Sequence, residues 1–384
     1  MKETPVGGSS GGRLPHLLAP KAYSCRDHFA SEKQQLLDPA WHLVGALTDL
    51  ENDGEFVTMD LLGRAIQLRN FDGEIVALSN VCAHRHCLLR DAPRGSDRQL
   101  VCPYHGWEFG PDGRTRRIPS PKNFTPIDRE TDALPVYRLE RCGQLLFVCL
   151  DPKANSLEAQ MGPLFGLCQE RFGPEWRTTI SMEIGLDVNW KVPVENSLEA
   201  YHLAQVHPHT LGEDPGEERS VHEIGEGFTS FSTTHFASKS RLDQILHGVE
   251  KRILRAMGRP HVGRYFHHHS YPHLLFSFTD ALSLVQCILP TGPTSCRAVV
   301  RQFGLAGRSV NPLGALAKPW GMLGAFITRR VLAEDRVLFT SIQRGLEASP
   351  HRGVLGYAER RIHAFQKHVL SEIGRPERAD RVSN

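Results

Sequence analysis

Four residues in two short fragments offer paired sulfur and nitrogen donors. Cys82-Ala83-His84 and Cys102-Pro103-Tyr104-His105 each place one thiol and one imidazole within a few residues, and residues 85–101 separate them. Thiolates and neutral imidazoles bind zinc and iron–sulfur clusters. A structural zinc site usually pairs Cys with Cys and His with His at short spacing, whereas here each fragment mixes the two. A plant-type ferredoxin needs C-x4-C-x2-C. Cys82 and Cys87 supply the first step, but Arg90 stands where the third Cys should be.

One Cys and one His from each fragment is the ligand set of a Rieske [2Fe–2S] centre, in which two His replace two Cys on one iron. The neutral imidazoles raise the potential, so the cluster is a mild electron donor. Zinc remains the rival reading. His86 and Cys87 read as packing and neighbouring residues rather than ligands.

A second set of donors lies in 189–208. On a helix, Glu195, Glu199 and His202 would share one face by the i, i+4 and i+3 rule. His207 follows His202 by five residues, which a regular helix does not align. A π-bulge, or a helix ending just before Pro208, would let both imidazoles reach one point. Two His and one carboxylate with open positions form the facial triad of non-haem Fe(II) oxygenases. Two ordinary polar His would give the same spacing. The third ligand must come from elsewhere. In the helix expected over 325–346, Asp335 is bordered by Val331, Leu332, Leu338, Phe339 and Ile342, all apolar, so it projects from the inward face. A buried carboxylate needs a metal or a cation. Pairing with an Arg would satisfy it as well. Glu334 borders Arg330, Val337 and Ser341, a more mixed face.

The elements that hold these residues divide the chain. From about 40 to 155 it reads as short strands bounded by turn signals such as Asp72-Gly73, Asp112-Gly113 and Cys142-Gly143. Both donor fragments fall in its loops, where loops at one tip can gather distant ligands. Beyond 156, strands are expected at 178–187, 227–236, 274–278, 282–289 and 298–303. Helices are expected near 191–205, 241–257, 325–346 and 355–373. Segregated strands and helices imply an α+β fold with an antiparallel sheet.

Composition bounds the function. Hydrophobic content of 40% and charged content of 23% are those of a soluble globular protein, and a net charge of +2 gives no reason to expect nucleic acid or an acidic membrane as partner. No run of about 18 apolar residues would span a bilayer. The polar, Gly- and Ser-rich start lacks the apolar core of a signal peptide, so residues 1–20 are expected to be disordered. Nine Cys with no framework spacing fit a reducing cytoplasm. No G-x-G-x-x-G after a strand and no P-loop occurs, so no dinucleotide site is expected.

Taken together, Cys82-x-His84 with Cys102-x2-His105, Asn189-Trp190-Lys191, Glu199-x2-His202-x4-His207, and Glu334-Asp335 before Ile342-Gln343-Arg344-Gly345-Leu346 resemble the α subunit of Rieske non-haem iron oxygenases. The resemblance covers about 22–346. It implies a β-rich Rieske domain over 40–155 and a helix-grip catalytic domain formed by 21–39 and 156–384. Cys82 and Cys102 would bind one cluster iron, and His84 and His105 the other. His202, His207 and Asp335 would hold a mononuclear Fe(II). Glu199 would bridge the Rieske His of one subunit to an iron-bound His of its neighbour in a homotrimer. Where the family usually has Gly, this chain has His86, which is expected to face solvent.

The implied activity is oxygenation of a small organic substrate with O2. Electrons from NAD(P)H would arrive through a separate flavin/iron–sulfur reductase. The Glu bridge and the C-terminal motif are similar to the choline, betaine and carnitine monooxygenase branch, which acts on quaternary ammonium compounds. An aromatic ring-hydroxylating dioxygenase and a Rieske electron carrier without oxygenase activity are the alternatives. Tyr201 and Glu195 are candidates for a cation site. His267-His268-His269 alternates across a strand, His209 reads as a loop residue, and Glu213, Asp214, Glu217 and Glu218 as solvated surface.

Overall fold

The computed structural model describes residues 12–126, 128, 131–211, 215–234, 241–307 and 312–374. Turn glycines and alternating apolar residues between 41 and 149 build one seven-stranded sheet. Its order is Trp41–Ala46, Leu145–Cys149, Val136–Cys142, Glu74–Ser79, Arg64–Phe71, Glu55–Leu61 and Arg94–Ser96, with every neighbouring pair antiparallel. A smaller sheet of Leu100–Val101, Glu108–Phe109 and Thr115–Arg117 sits beside the second donor fragment. All of these strands fall in the stretch from about 40 to 155 that was expected to be strand-rich.

A second seven-stranded antiparallel sheet follows, in the order Trp176–Leu186, Ser295–Leu305, Leu282–Gly292, Leu274–Phe278, Arg264–Ser270, Phe228–Thr234 and Ser220–Ile224. Strands Trp41–Ala46 and Leu145–Cys149 are buried along their whole length. The reason is that Trp41, Leu43 and Phe147 share one apolar core with Phe276, Val285 and Phe303 of the second sheet. Across this seam His42 Nδ1 meets His273 Nε2 at 2.9 Å, and burial pushes His42 down to about 4, so the contact is made by neutral rings.

The helix Ala317–Ala348 runs against the second sheet. Close approach is possible because small residues face each other. A Cβ on Gly321 would stand 3.2 Å from Thr179 Cγ2, and one on Gly304 would stand 3.1 Å from the Gly321 Cα. This helix carries Asp335. Gln343, one residue past Ile342, locks its far end: Oε1 accepts from the Asn189 amide at 2.9 Å and Nε2 donates to the Tyr23 carbonyl at 3.1 Å.

Asn189-Trp190-Lys191 is a fastening for the N-terminal segment. Lys191 Nζ donates to Glu32 Oε1 at 2.6 Å and to the Ala22 carbonyl at 3.0 Å, and Trp190 Nε1 donates to Glu32 Oε2 at 2.9 Å. Glu32 and Lys191 are both fully buried. The expectation of disorder over 1–20 is corrected in part. Residues 1–11 lie outside the described residues, but Leu14–Pro15 pairs with Val354–Leu355, Leu18 is buried, and Leu17 N–H donates to Gln366. Apolar residues at 14, 17 and 18 find a groove that composition did not reveal. Among the described residues no helix is long and apolar enough to cross a membrane.

Candidate active site and cluster site

The two Cys/His fragments fold into matching loops. The Cys82 amide donates to the Cys87 carbonyl (2.9 Å) and the His86 amide to the Cys82 carbonyl (3.0 Å). In the second loop the Cys102 amide donates to the Trp107 carbonyl (2.7 Å) and the Gly106 amide to the Cys102 carbonyl (3.0 Å). His86 and Gly106 therefore hold equivalent positions. Both have left-handed backbone, with φ of 58° and 73°. A non-glycine residue there costs about 1–2 kcal/mol. The His86 side chain is exposed, as the sequence suggested.

Both thiols are buried, His105 faces outward and His84 is half-buried. Cys82 and Cys102 are 1% and 2% exposed, whereas His105 is exposed. His84 and His105 lie with ring centroids 4.7 Å apart, and His84 stacks on Trp107 at 4.9 Å and 5°. Burial pushes the Cys82 thiol up to about 11, with Cys102 beside it raising it further. Such thiols are not reactive on their own and need metal to be held as thiolates. Two buried sulfurs and two adjoining imidazoles nearer the surface fit the two sides of a Rieske cluster. Cys87 donates to the Leu88 carbonyl at 3.4 Å.

The second donor set is built by a broken helix. The expected helix over 191–205 stops at Ser197 and restarts as Leu203–Val206. The Glu199 carboxylate causes the restart by accepting from the backbone N–H groups of Tyr201 and His202, the latter at 3.1 Å. His202 begins the new turn and His207 ends it, which solves the five-residue spacing without a π-bulge. The sharing of one face by Glu195, Glu199 and His202 is thereby corrected. Glu195 instead accepts from Tyr23 Oη at 2.6 Å and Gln366 Nε2 at 2.9 Å, inside the core.

His202, His207 and Asp335 converge, each offering an atom within 4.8 Å of the other two. Asp335 Oδ1 lies 3.0 Å from His207 Nε2 and 3.6 Å from His202 Nε2. Each imidazole has a carboxylate behind it. Glu199 takes His202 Nδ1, and Glu334 takes His207 Nδ1 at 2.8 Å. Glu334 is held in turn by Thr210 and by Arg330 Nε at 3.1 Å. Burial would lower His207, but the carboxylates on both of its nitrogens outweigh it and raise it. With a metal in place of the Nε2 protons, a proton held at each Nδ1 would leave both Nε2 lone pairs free to ligate it beside Asp335. Three acceptors aimed at one point fit a divalent cation, and the outer carboxylates orient and strengthen the imidazoles.

This point opens onto a cavity of about 460 Å³ between the second sheet and the helix Ala317–Ala348. Its walls include Phe231, Glu250, Tyr265, His267, Trp320 and Arg361. Sequence reasoning missed these. His267 had been set aside with its neighbours because they alternate, yet the alternation directs it to the cavity, and Arg361 carries no motif. His209 also lines the cavity. Tyr201 does not, being 71% exposed, and Glu195 is turned toward Tyr23 and Gln366, so neither candidate for a cation site lines the space beside the donors. Of the acidic run, Glu213 and Asp214 lie outside the described residues, and Glu217 pairs with Arg360 at 2.7 Å.

Comparison with known proteins agrees with this anatomy. Residues 40–138 match the Rieske [2Fe-2S] domain and residues 173–374 the ring hydroxylating alpha subunit (catalytic domain). The chain is 30% identical over 236 residues to the carnitine monooxygenase oxygenase subunit of Escherichia coli K12, covering 59% of this chain and 63% of that subunit. The match thus spans less than two thirds of that relative. It is 25% identical over 353 residues to the chloroplastic choline monooxygenase of Amaranthus tricolor, covering 88% and 73%. Among solved structures, a quaternary ammonium Rieske monooxygenase aligns with a TM-score of 0.74 at 18% identity over 95% of this chain and 100% of that one. Naphthalene 1,2-dioxygenase from a Rhodococcus species aligns at 0.75 and 18% over 93% and 94%. These likenesses show the shared fold. The two domains carry a Rieske [2Fe–2S] cluster and a mononuclear iron, and the donors described fit both. With the catalytic-domain match covering more than half of its residues, the chain belongs to the ring-hydroxylating α-subunit family, with a Rieske domain preceding the catalytic one.

Proposed function

We propose that the chain is the oxygenase component of a Rieske non-haem iron system that hydroxylates or oxidatively demethylates a small quaternary ammonium compound. Cys82, His84, Cys102 and His105 would hold the [2Fe–2S] cluster, and His202, His207 and Asp335 the mononuclear iron. Bound there, the metals supply single-electron delivery and O2 activation. O2 and the organic substrate are its small-molecule partners, and NAD(P)H serves through a separate flavin/iron–sulfur reductase. We further propose a homotrimer in the cytoplasm, with the Rieske domain over 40–155 and the catalytic domain formed by 21–39 and 156–384.

The observation that carries the reading is the opening of the His202–His207–Asp335 set onto the cavity. The chain's own residues do the positioning. Glu199 and Glu334 keep a proton on each Nδ1 and so keep each Nε2 free to ligate. Glu199 also stands where the resemblance puts the link to a neighbouring subunit's cluster. Apolar walls exclude water from the reacting end of the substrate.

The relatives named for carnitine and choline support the quaternary ammonium reading. So does the wall. Trp320 donates a hydrogen bond to Glu250, whose carboxyl is pushed up by burial. A cation over the indole would offset that cost. A neutral aromatic hydrocarbon would leave it in place. The test is a substrate panel with a surrogate reductase, following NADH consumption and product together. Coupled turnover of a quaternary ammonium compound supports the reading. Turnover confined to neutral arenes would replace it with the ring-dioxygenase alternative.

A further inference from the structure

Arg361 is a buried cation with no anion beside it. It is 1% exposed, near the start of the helix Arg360–Ile373. Its Nε donates to Thr229 Oγ1 at 3.1 Å, and its Nη2 donates to His267 Nδ1 at 2.8 Å and, longer, to the His267 carbonyl at 3.4 Å. Its guanidinium lies 5.9 Å from the centre of the Phe231 ring. All of these partners are neutral. Among the described residues no carboxylate pairs with it, while the adjacent Arg360 has Glu217 at 2.7 Å. Burial pushes the Arg361 guanidinium down to about 9, yet it stays charged near neutrality. An unpaired buried charge is costly.

His267 adds a donor at the same place. Its Nδ1 accepts from Arg361, so its proton sits on Nε2. That Nε2–H is buried and has no partner among the described residues. Burial, with Arg361 alongside, pushes the imidazole well below its ordinary value and keeps it neutral. Both residues line the cavity that the iron donors open onto. A guanidinium with only neutral acceptors and an imidazole N–H with no acceptor among the described residues form a site that fits an anion.

We propose that Arg361 and the Nε2–H of His267 bind a carboxylate of the substrate. This rests on the proposed function and narrows it: the substrate is an organic acid, and within the quaternary ammonium class it is a trimethylammonio carboxylate rather than an amino alcohol. Arg suits the role because its planar fork matches a carboxylate. The competing view is that Arg361 merely ties its helix to strands Phe228–Thr234 and Arg264–Ser270.

The test is calorimetric binding under anaerobic conditions to the metal-loaded protein, with two probe pairs: γ-butyrobetaine against its methyl ester, and benzoate against methyl benzoate. Wild type should bind at least one acid about tenfold or more tighter than its ester. Arg361→Gln should bring that ratio close to one while leaving the ester's affinity unchanged. Arg361→Lys should restore part of it, and His267→Phe should weaken the acid alone by several-fold. If Arg361→Gln does not fold, the Lys and His267 variants decide by the same ratio. No preference for either acid in wild type, or a preference that survives these substitutions, overturns the proposal. An Arg361-dependent preference for benzoate with none for γ-butyrobetaine upholds it and sinks the quaternary ammonium reading instead.

Discussion

Asp335 Oδ1 lies 3.0 Å from His207 Nε2, on the side of the ring opposite the Glu334 carboxylate. One helix therefore supplies both the carboxylate that meets the donor set and the carboxylate that braces it from behind. Asp335→Ala should empty the mononuclear iron site and leave the cluster colour intact, because the cluster donors sit on separate loops. Glu334→Ala should lower iron affinity by about 10–100-fold without abolishing binding. Metal analysis after dialysis against a weak chelator separates the two. Loss of iron in the Glu334 variant with retention in the Asp335 variant would reverse the assignment.

Glu199 grips both the ring and the backbone of the turn that starts at His202. Glu199→Gln should keep the cluster and retain iron, at reduced affinity, while cluster oxidation on mixing with O2 and substrate slows by about 10–100-fold. Stopped-flow absorbance of the fully reduced variant measures this. Oxidation at the wild-type rate would leave Glu199 with a local role only.

His86 occupies a left-handed position that its counterpart in the second loop fills with Gly106. His86→Val should destabilise the protein by more than about 1–2 kcal/mol, since a β-branched residue tolerates that backbone poorly. His86→Gly should be neutral or stabilising, with an unchanged electron resonance spectrum. Denaturant midpoints and the spectrum together check it. A shifted spectrum in the Gly variant would mean that the imidazole tunes the cluster rather than facing solvent.

The Glu32–Lys191 pair fastens the N-terminal segment. Burial opposes ionisation of Glu32, but Lys191 and three hydrogen bonds outweigh it, and its carboxyl is held below the usual glutamate value. A depressed carboxyl stabilises the fold above its unfolded value and loses that contribution as pH falls through the folded one. Stability should therefore decline on the acid side of about pH 4.3. Glu32→Gln should cost roughly 3–5 kcal/mol at neutral pH and remove this component of the acid slope. Urea unfolding from pH 3 to pH 7 reads both. A parallel acid slope in wild type and variant would place the effect elsewhere.

Much of the site was legible because its chemistry is written in residue type and order. Mixed Cys/His fragments flanked by strand and turn signals anticipated two matching loops, and the structure brings Asp335 to His202 and His207 even though Leu338 and Ile342, two of the five apolar neighbours that suggested an inward face, are exposed. The path from Glu195 to His202 was misread because helical periodicity ignores side-chain capping. The first helix stops at Ser197, and Glu199 starts the next by taking two backbone amides, a competition that only the folded chain displays. Arg361 and His267 were invisible for a different reason. Their burial arises where a C-terminal helix crosses two strands far away in sequence, and nothing local separates Arg361 from Arg360 beside it, which is ion-paired with Glu217.

The central claim is that one chain holds both a two-iron cluster and a separate mononuclear iron. Anaerobic reconstitution followed by iron, zinc and acid-labile sulfide analysis of wild type and Asp335→Ala tests it most directly. The account expects roughly three irons and two sulfides per chain in wild type, and roughly two irons with two sulfides in the variant. Two irons in both proteins would make the chain an electron carrier, and stoichiometric zinc without sulfide would contradict the account altogether.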